Sequence, residues 1–226
     1  MYINNRIIQL VYRIATAVVA VYGLVSLSRL FGVGLNPTMF IFYTNISNLL
    51  VAAYLIFSSI HTFLDIRKHG VRGISTVAPG VKRAFVMMIS VTMVVYHFIL
   101  LSAGFEMVAA AAIVHTVPDI LVHYVTPSLF ILDWLLFDEK NRVRWFDPLL
   151  WLALPFAYVV FIMFRAEIGG EIPYLYSRFP YPFLDIDNLG LSMVLIINSA
   201  MMIGFIVLGY VIFAIDKITS LFKKTV

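Results

Sequence analysis

The sequence predicts an all-α, polytopic integral membrane protein with six transmembrane helices in one domain over residues 1–226 and both termini in the cytoplasm. Three observations predict it. Of 226 residues, 62% are hydrophobic and only 12% charged, with a mean hydropathy of +0.97, whereas a soluble domain carries about 25% charged residues. Six apolar runs approach or exceed the ~20 residues that a helix needs to cross a bilayer. Nearly all the basic residues fall in alternate connections between those runs.

The runs are Leu10–Phe31, Thr38–Ile60, Ala84–Gly104, Ile113–Phe137, Pro148–Phe164 and Leu189–Ile215. The first is too long for a signal-peptide core and no small-residue cleavage site follows it, so it is expected to be retained as a span. The second follows Asn36-Pro37, a loop-to-helix signal, and the fifth opens at Asp147-Pro148, since proline suits the first turn of a helix. Arg6 and Arg13 precede or open the first run. Arg67, Lys68, Arg72, Lys82 and Arg83 lie between the second and third, and Lys140, Arg142 and Arg144 between the fourth and fifth. Lys217, Lys223 and Lys224 form the tail, which leaves only Arg29, Arg165 and Arg178 elsewhere among the 16 Lys and Arg. The positive-inside rule then puts both termini in the cytoplasm. The other connections are short or acidic, with Glu106 in one and Glu167, Glu171, Asp185 and Asp187 in another.

This distribution assigns the net charge of +4 to membrane topology and not to nucleic-acid binding. The absence of cysteine excludes disulfides, thiolate catalysis and cysteine metal sites. The bilayer is the expected partner, and no pattern sets an oligomeric state.

Function is sought in the fourth run, where Val117–Phe137 places His123 and Asp133 in apolar surroundings. An Asp at the middle of a span costs about 2.5–3.5 kcal/mol, so ionisable groups there point to a site. Asp133 faces another side from His123 and is expected to pair with a neighbouring helix. Pro127 cannot donate to the carbonyl four residues back, so a bend with a free acceptor at His123 is expected. His115, Asp119 and His123 recur every four residues in one stripe. In the second run Thr44, Ser47 and Asn48 share one face, either for helix packing or to line a pocket. Tyr43 adjoins them, and His97 stands beside Tyr96 in the third run. The long outer segment 166–188 carries Tyr181, Pro182 and Asp185 in an aromatic and proline-rich stretch, suited to an interfacial belt or a lid.

Thr44 and His123 both fall in the outer half of the bundle by helical rise. A threonine hydroxyl becomes a nucleophile when a neutral histidine takes its proton. Such a pair attacks an ester carbonyl, forms an acyl-threonine and releases it to water with no cofactor and no metal. Asp119 would orient the imidazole and Asn48 would donate to the oxyanion. Three alternatives remain open at this point. They are a zinc hydrolase using His97, His115, Asp119 and His123, a small-solute transporter for which buried charge looks scarce, and a non-catalytic lipid-binding protein.

Three stretches carry a family resemblance: Phe42-Tyr43-Thr44-Asn45-Ile46-Ser47-Asn48-Leu49-Leu50, His123-Tyr124-Val125-Thr126-Pro127 running on to Asp133-Trp134, and Tyr181-Pro182-Phe183-Leu184-Asp185. In these, in span count and in motif order, the chain resembles the bacterial six-span relatives of the androgen-induced membrane protein family, whose animal members are threonine hydrolases of fatty acid esters of hydroxy fatty acids. The resemblance implies a catalytic pair at Thr44 and His123, a lipophilic ester as substrate and a bacterial plasma membrane as location. The residues after Thr44 are more polar than in the animal enzymes, and the His123-to-Pro127 spacing differs slightly.

Overall fold

Asn5 starts the first helix: its Oδ1 accepts the backbone N–H groups of Ile7 and Ile8 at 2.9 and 3.2 Å, satisfying donors that no helical carbonyl can reach. The computed structural model describes residues 3–28, 37–101, 116–172 and 175–221. In it the helices are α1 (Arg6–Leu27), α2 (Tyr43–His69), α3 (Pro79–Leu100), α4 (Val117–Phe137), α5 (Asp147–Gly169) and α6 (Leu191–Leu221), each long and apolar enough to cross a membrane. Among the described residues, β pairing is confined to the isolated bridges Asn5–Arg72 and Ile172–Ser177. The far ends of three expected runs, 29–31, 102–104 and 113–115, lie outside the described residues.

Pro79 and Pro148 occupy first-turn positions of α3 and α5, where a missing N–H costs nothing. Arg67, Lys68 and His69 complete the last turn of α2, where cations suit the negative end of the helix dipole. This polar turn carries α2 well past Ile60, the end of its apolar run.

Burial is inverted relative to a water-soluble bundle. Ile7, Val18, Phe57, Phe156, Phe164 and Ile203 are exposed, while Gln9, Arg13, Ser47, Asn48, Thr62, Lys82 and Asp133 are buried. Apolar side chains outside and polar ones inside fit a lipid surround. The chain is an integral membrane protein. α3 is the most enclosed of the six helices and α6 the least.

Among the described residues, Ile3 and Arg6, the basic stretch after α2, Arg142 and Lys217 gather at one end of the bundle. The Ile3 N–H donates to Leu136 O (2.7 Å) and the Arg6 N–H to Val71 O (2.8 Å). The amides of Arg142 and Val143 both donate to Asp216 near the end of α6, each at 3.0 Å. Just inside this end, Arg13 Nε meets Asp133 Oδ1 at 3.2 Å. Lys82 Nζ lies between Asp133 Oδ2 at 2.6 Å and Asp138 Oδ1 at 2.5 Å. Arg13 also donates to Thr62 Oγ1 (2.8 Å) and to Ser75 O (2.9 Å). Asp133 therefore pairs with two helices, α1 and α3. Two expectations are corrected here. Lys82 is an interior residue and not a loop charge, and with Arg13, at the opening of the first run, also fully enclosed, buried charge is plentiful. Pro79 starts α3 early enough to draw Lys82 into the bundle, and pairing offsets the cost of burying it.

Candidate functional site

At the opposite end, Pro37–Ile41 forms a 3-10 turn, Phe42 is extended (φ −82°, ψ 132°) and α2 begins only at Tyr43. Thr44 is thus the second residue of its helix, not the seventh of a span opening at Thr38. Tertiary bonds fix this start: Asn45 Nδ2 donates to Met39 O at 2.8 Å and the Tyr158 hydroxyl to Ile41 O at 2.9 Å. The first N–H groups of a helix have no carbonyl within it to bond, and the Phe42 side chain offers no acceptor. The positive end of a helix dipole therefore lies at Thr44.

α4 departs from α geometry where His123 sits. Leu121–Val125 is a π-turn, closed by the Thr126 N–H on Leu121 O. The wider register moves the carbonyl orphaned by Pro127 from His123, where it was expected, to Val122. Asn48 Nδ2 donates to that Val122 carbonyl at 3.0 Å and to Thr44 O at 2.8 Å. Both amide protons of Asn48 are therefore occupied, and turning the amide over would set its oxygen against two carbonyls. Asn48 secures α2 to α4 and is not available as the oxyanion donor. Ser47 has a similar role: its hydroxyl meets Thr92 Oγ1 at 2.7 Å and donates to Thr44 O at 2.9 Å, linking α2 to α3.

Thr44 Oγ1 lies 3.1 Å from His123 Nε2. His123 Nδ1 lies 2.9 Å from Asp119 Oδ1 and 3.0 Å from Asp119 O. Both groups facing Nδ1 are acceptors, so the network assigns the proton to Nδ1 and leaves Nε2 to accept from the Thr44 hydroxyl. Tyr96, missed by sequence reasoning, completes the cluster. Its hydroxyl donates to Asp119 Oδ2 at 2.5 Å, and its ring stacks on the imidazole at 3.6 Å between centroids and 14° between planes. Tyr96 opens a second π-turn, Tyr96–Leu100, at the end of α3. Both faces of the relay are thus set by local departures from α geometry, which recur at functional sites. Thr44, Asp119, His123 and Tyr96 are all buried.

The cluster borders a cavity of about 50 Å³ whose lining includes Tyr43, Thr44, Tyr96, Tyr181, Met202 and Phe205. Tyr181 comes from the long connection between α5 and α6. Its ring stacks with Phe183 (5.2 Å, 7°) and meets Phe42 edge-on at 5.9 Å. Its ring also lies 6.3 Å from that of Tyr158, and polar groups of Thr44, Tyr43 and Tyr158 surround its hydroxyl. Burial pushes this phenol up to about 12, partly opposed by those polar groups.

The remaining expected residues lie off the cavity. Asp185 caps the short helix Ile186–Leu189, accepting from the Asp187 and Asn188 amides at 3.0 Å each. It also accepts from Ser177 Oγ at 2.8 Å, so its part is to shape the loop that delivers Tyr181. Pro182 is exposed where the 3-10 turn Pro182–Leu184 begins. His97 is exposed too, its Nδ1 3.0 Å from the Tyr124 hydroxyl. It points away from His123 because neighbours on a helix diverge by about 100°. His115 lies outside the described residues. Among the described residues no three His, Asp or Glu side chains gather as metal ligands. In comparisons with protein-family profiles, curated proteins and solved structures, nothing matches this chain.

Proposed function

We propose that this protein is an intramembrane hydrolase of lipophilic, fatty-acid-type esters, with Thr44 as nucleophile and His123 as general base. The observation that carries the reading is the continuous series Thr44 Oγ1, His123 Nε2, His123 Nδ1 and Asp119 Oδ1, with contacts of 3.1 and 2.9 Å, ending at an apolar cavity. Nucleophile, base and orienting carboxylate in hydrogen-bond reach are the geometric signature of acyl transfer. The family resemblance implies the same pair.

In this reading Thr44 Oγ attacks the ester carbonyl carbon while its proton passes to His123 Nε2. Asp119 holds the imidazolium that forms, and Tyr96 fixes both the carboxylate and the plane of the ring. The tetrahedral intermediate collapses, the C–O bond to the alcohol breaks, and the leaving oxygen takes the proton from Nε2. Water then gives a proton to the freed Nε2 and attacks the acyl-threonine. The acid departs and the proton returns to Oγ. Basic residues at the other end of the bundle support cytoplasmic termini, which would open this cavity toward the outer leaflet of a bacterial plasma membrane, with lateral entry of substrate.

The test is a lipophilic fluorophosphonate added to detergent-solubilised protein, with the modified residue located by mass spectrometry. Thr44 should carry the adduct in the wild type, and both Thr44→Ala and His123→Ala should abolish it. A folded wild-type protein that takes up no label at Thr44 would sink the mechanism.

A further inference from the structure

At the basic end of the bundle a second cavity, of about 480 Å³, lies between the start of α3 and the end of α4. Its volume is that of a small-molecule site, about 300–1,000 Å³. Thr76, Pro79 and Arg83 border it from the α3 side, and Asp138, Glu139 and Arg142 from the α4 side. Lys82 of α3, 2.5 Å from Asp138 Oδ1, ties the two sides together. The two sides have opposite polarity. The first N–H groups of α3 have no carbonyl within the helix to bond, and Ala78 supplies no side-chain cap, so the positive end of that helix dipole lies here. α4 ends at Phe137, which puts the negative end of its dipole beside Asp138.

Most of the charge around this cavity is matched. Arg142 Nε and Nη2 both donate to Glu139 Oε2, at 2.8 and 2.6 Å, and Lys82 serves Asp133 and Asp138 together. Three groups are left over. Among the described residues the Arg83 side chain makes no hydrogen bond or ion pair, and its Nε is shielded from water. Thr76 Oγ1 and Asp138 Oδ2 are also shielded and have no hydrogen-bond partner. Asp138 is only 2% exposed, whereas Arg83 and Thr76 are half-buried, so their side chains have room to turn toward an occupant. A buried polar group without a partner is costly. Arg83 needs an anionic acceptor, Asp138 Oδ2 needs a donor, and the Thr76 hydroxyl takes either.

From this arrangement we infer that the cavity binds a phosphoethanolamine group, its phosphate on Arg83, Thr76 and the first turn of α3 and its ammonium on Asp138. A bare anion would satisfy Arg83 but bring like charge to Asp138 and Glu139. A bare cation would satisfy Asp138 and meet Arg83. A phosphate with an ammonium two carbons away carries acceptors and donors together, in the same order as the two sides of the cavity. Both helix dipoles favour that order. The ammonium brings three N–H donors, whereas the methylated nitrogen of choline brings none. A membrane phospholipid and the free headgroup compound share this chemistry, and the cavity lies where apolar helix faces give way to basic residues, the headgroup level of a bilayer. An occupant bound across it would hold the start of α3 against the end of α4 and so stabilise the folded bundle. The site lies at the opposite end from Thr44 and is independent of the chemistry there.

The experiment titrates the full chain in detergent with dioleoylphosphatidylethanolamine or dioleoylphosphatidylcholine and counts bound lipid by native mass spectrometry. The two lipids share acyl chains and phosphodiester and differ in the N–H donors. The ethanolamine lipid should bind at least about ten-fold more tightly, the worth of one charge-assisted hydrogen bond. Arg83→Gln should weaken its binding by a similar factor, and Asp138→Asn should remove most of the preference between the two lipids. Equal affinities in the wild type, or an Arg83→Gln protein that binds as tightly as wild type, overturn the proposal. If Asp138→Asn does not fold, the N-methyl and N,N-dimethyl ethanolamine lipids give the same answer on the wild type. Affinity should fall stepwise as each N–H is lost, and a flat series refutes the ammonium contact. O-phosphoethanolamine and inorganic phosphate, each at millimolar concentration, identify the source by melting temperature. A rise with O-phosphoethanolamine that Arg83→Gln abolishes supports the site with the soluble compound as a sufficient ligand. Lipid selectivity without that rise supports it with the bilayer lipid as ligand. Inorganic phosphate that protects as well as O-phosphoethanolamine would reduce the site to anion binding and overturn the assignment.

Discussion

At the basic end of the bundle Arg13, Lys82, Asp133 and Asp138 neutralise one another between fixed helices, whereas at the other end Asp119, His123 and Thr44 form a directional series that stops at a cavity. α4 contributes to both, with His123 and Asp133 about 15 Å apart along it. Both clusters are buried and polar, so burial of ionisable groups alone does not tell them apart. What differs is completion. In the basic cluster two cations face two carboxylates, and the same helices close around them. In the other, the last member is a neutral hydroxyl beside open space, with an imidazole nitrogen positioned to take its proton. The first arrangement stabilises α1, α3 and α4 against one another, and the second has something left to do.

The contrast is sharpest if activity and stability separate. Thr44→Ala and His123→Ala should each lower ester hydrolysis by at least about 10³-fold, equivalent to ~4 kcal/mol of barrier, with melting temperature in detergent close to wild type. Asp133→Ala should do the reverse. Removing one partner of a buried pair costs about 3–5 kcal/mol, read as a large fall in melting temperature, while turnover per folded molecule stays within a few-fold. An Asp133→Ala protein that melts normally but is inactive would break the comparison and move the function to the basic end.

A weaker perturbation tests how far the active end depends on backbone placement. Gly23 of α1 lies against the π-turn of α4: a Cβ there would meet Val122 Cγ1 at 3.1 Å and Leu121 Cβ at 3.2 Å. Gly23→Val should cost about 1–3 kcal/mol by overpacking. By displacing the turn that carries His123 it should also lower kcat by roughly 10–100-fold. Melting and turnover measured on the same preparation would show both losses together, unlike either variant above.

The parts of this molecule legible in its sequence are those that lipid makes conspicuous. Twenty apolar residues in a row have few alternatives to a spanning helix. Thr44, His123 and Asp133 stand out because hydrocarbon penalises them. The rest depends on geometry that leaves no periodic trace. Asn36-Pro37 does announce a helical turn, but that turn is 3-10 and ends at Ile41, so the start of α2, and with it Thr44's place on the helix terminus, comes from bonds to distant residues. The two π-turns shift register without any residue pattern that marks them, apart from Pro127. Tyr96 was hidden beside His97, the more conspicuous residue and the one that faces outward. Lys82 reads as a loop residue in the sequence because its partners, Asp133 and Asp138, lie more than fifty positions away.

The smallest expected effect concerns the rim of the basic cluster. Lys140, just beyond α4, donates to Trp134 O at 2.5 Å and lies 4.4 Å from the centre of the Trp134 ring. Burial pulls its ammonium down from 10.5 to about 8, and the nearby carboxylates of Asp138 and Asp216 offset part of that shift. A lysine whose folded value is depressed binds fewer protons in the native state than in the unfolded state between the two values. Stability should therefore rise with pH from about 8 to about 10.5. Below that window both states carry the charge, and the native state bears the full cost of burying it. Lys140→Met removes the ionisable group but keeps much of the apolar stem against Trp134. The variant should gain on the order of 1 kcal/mol relative to wild type near pH 7, after allowance for solvent screening. That advantage should vanish by about pH 10.5, with turnover unaffected throughout. Melting curves of the two proteins compared across pH 7–10.5 cancel every group they share. A constant difference between them would mean that Lys140 stays charged in the folded protein and belongs with the matched charges of the basic cluster.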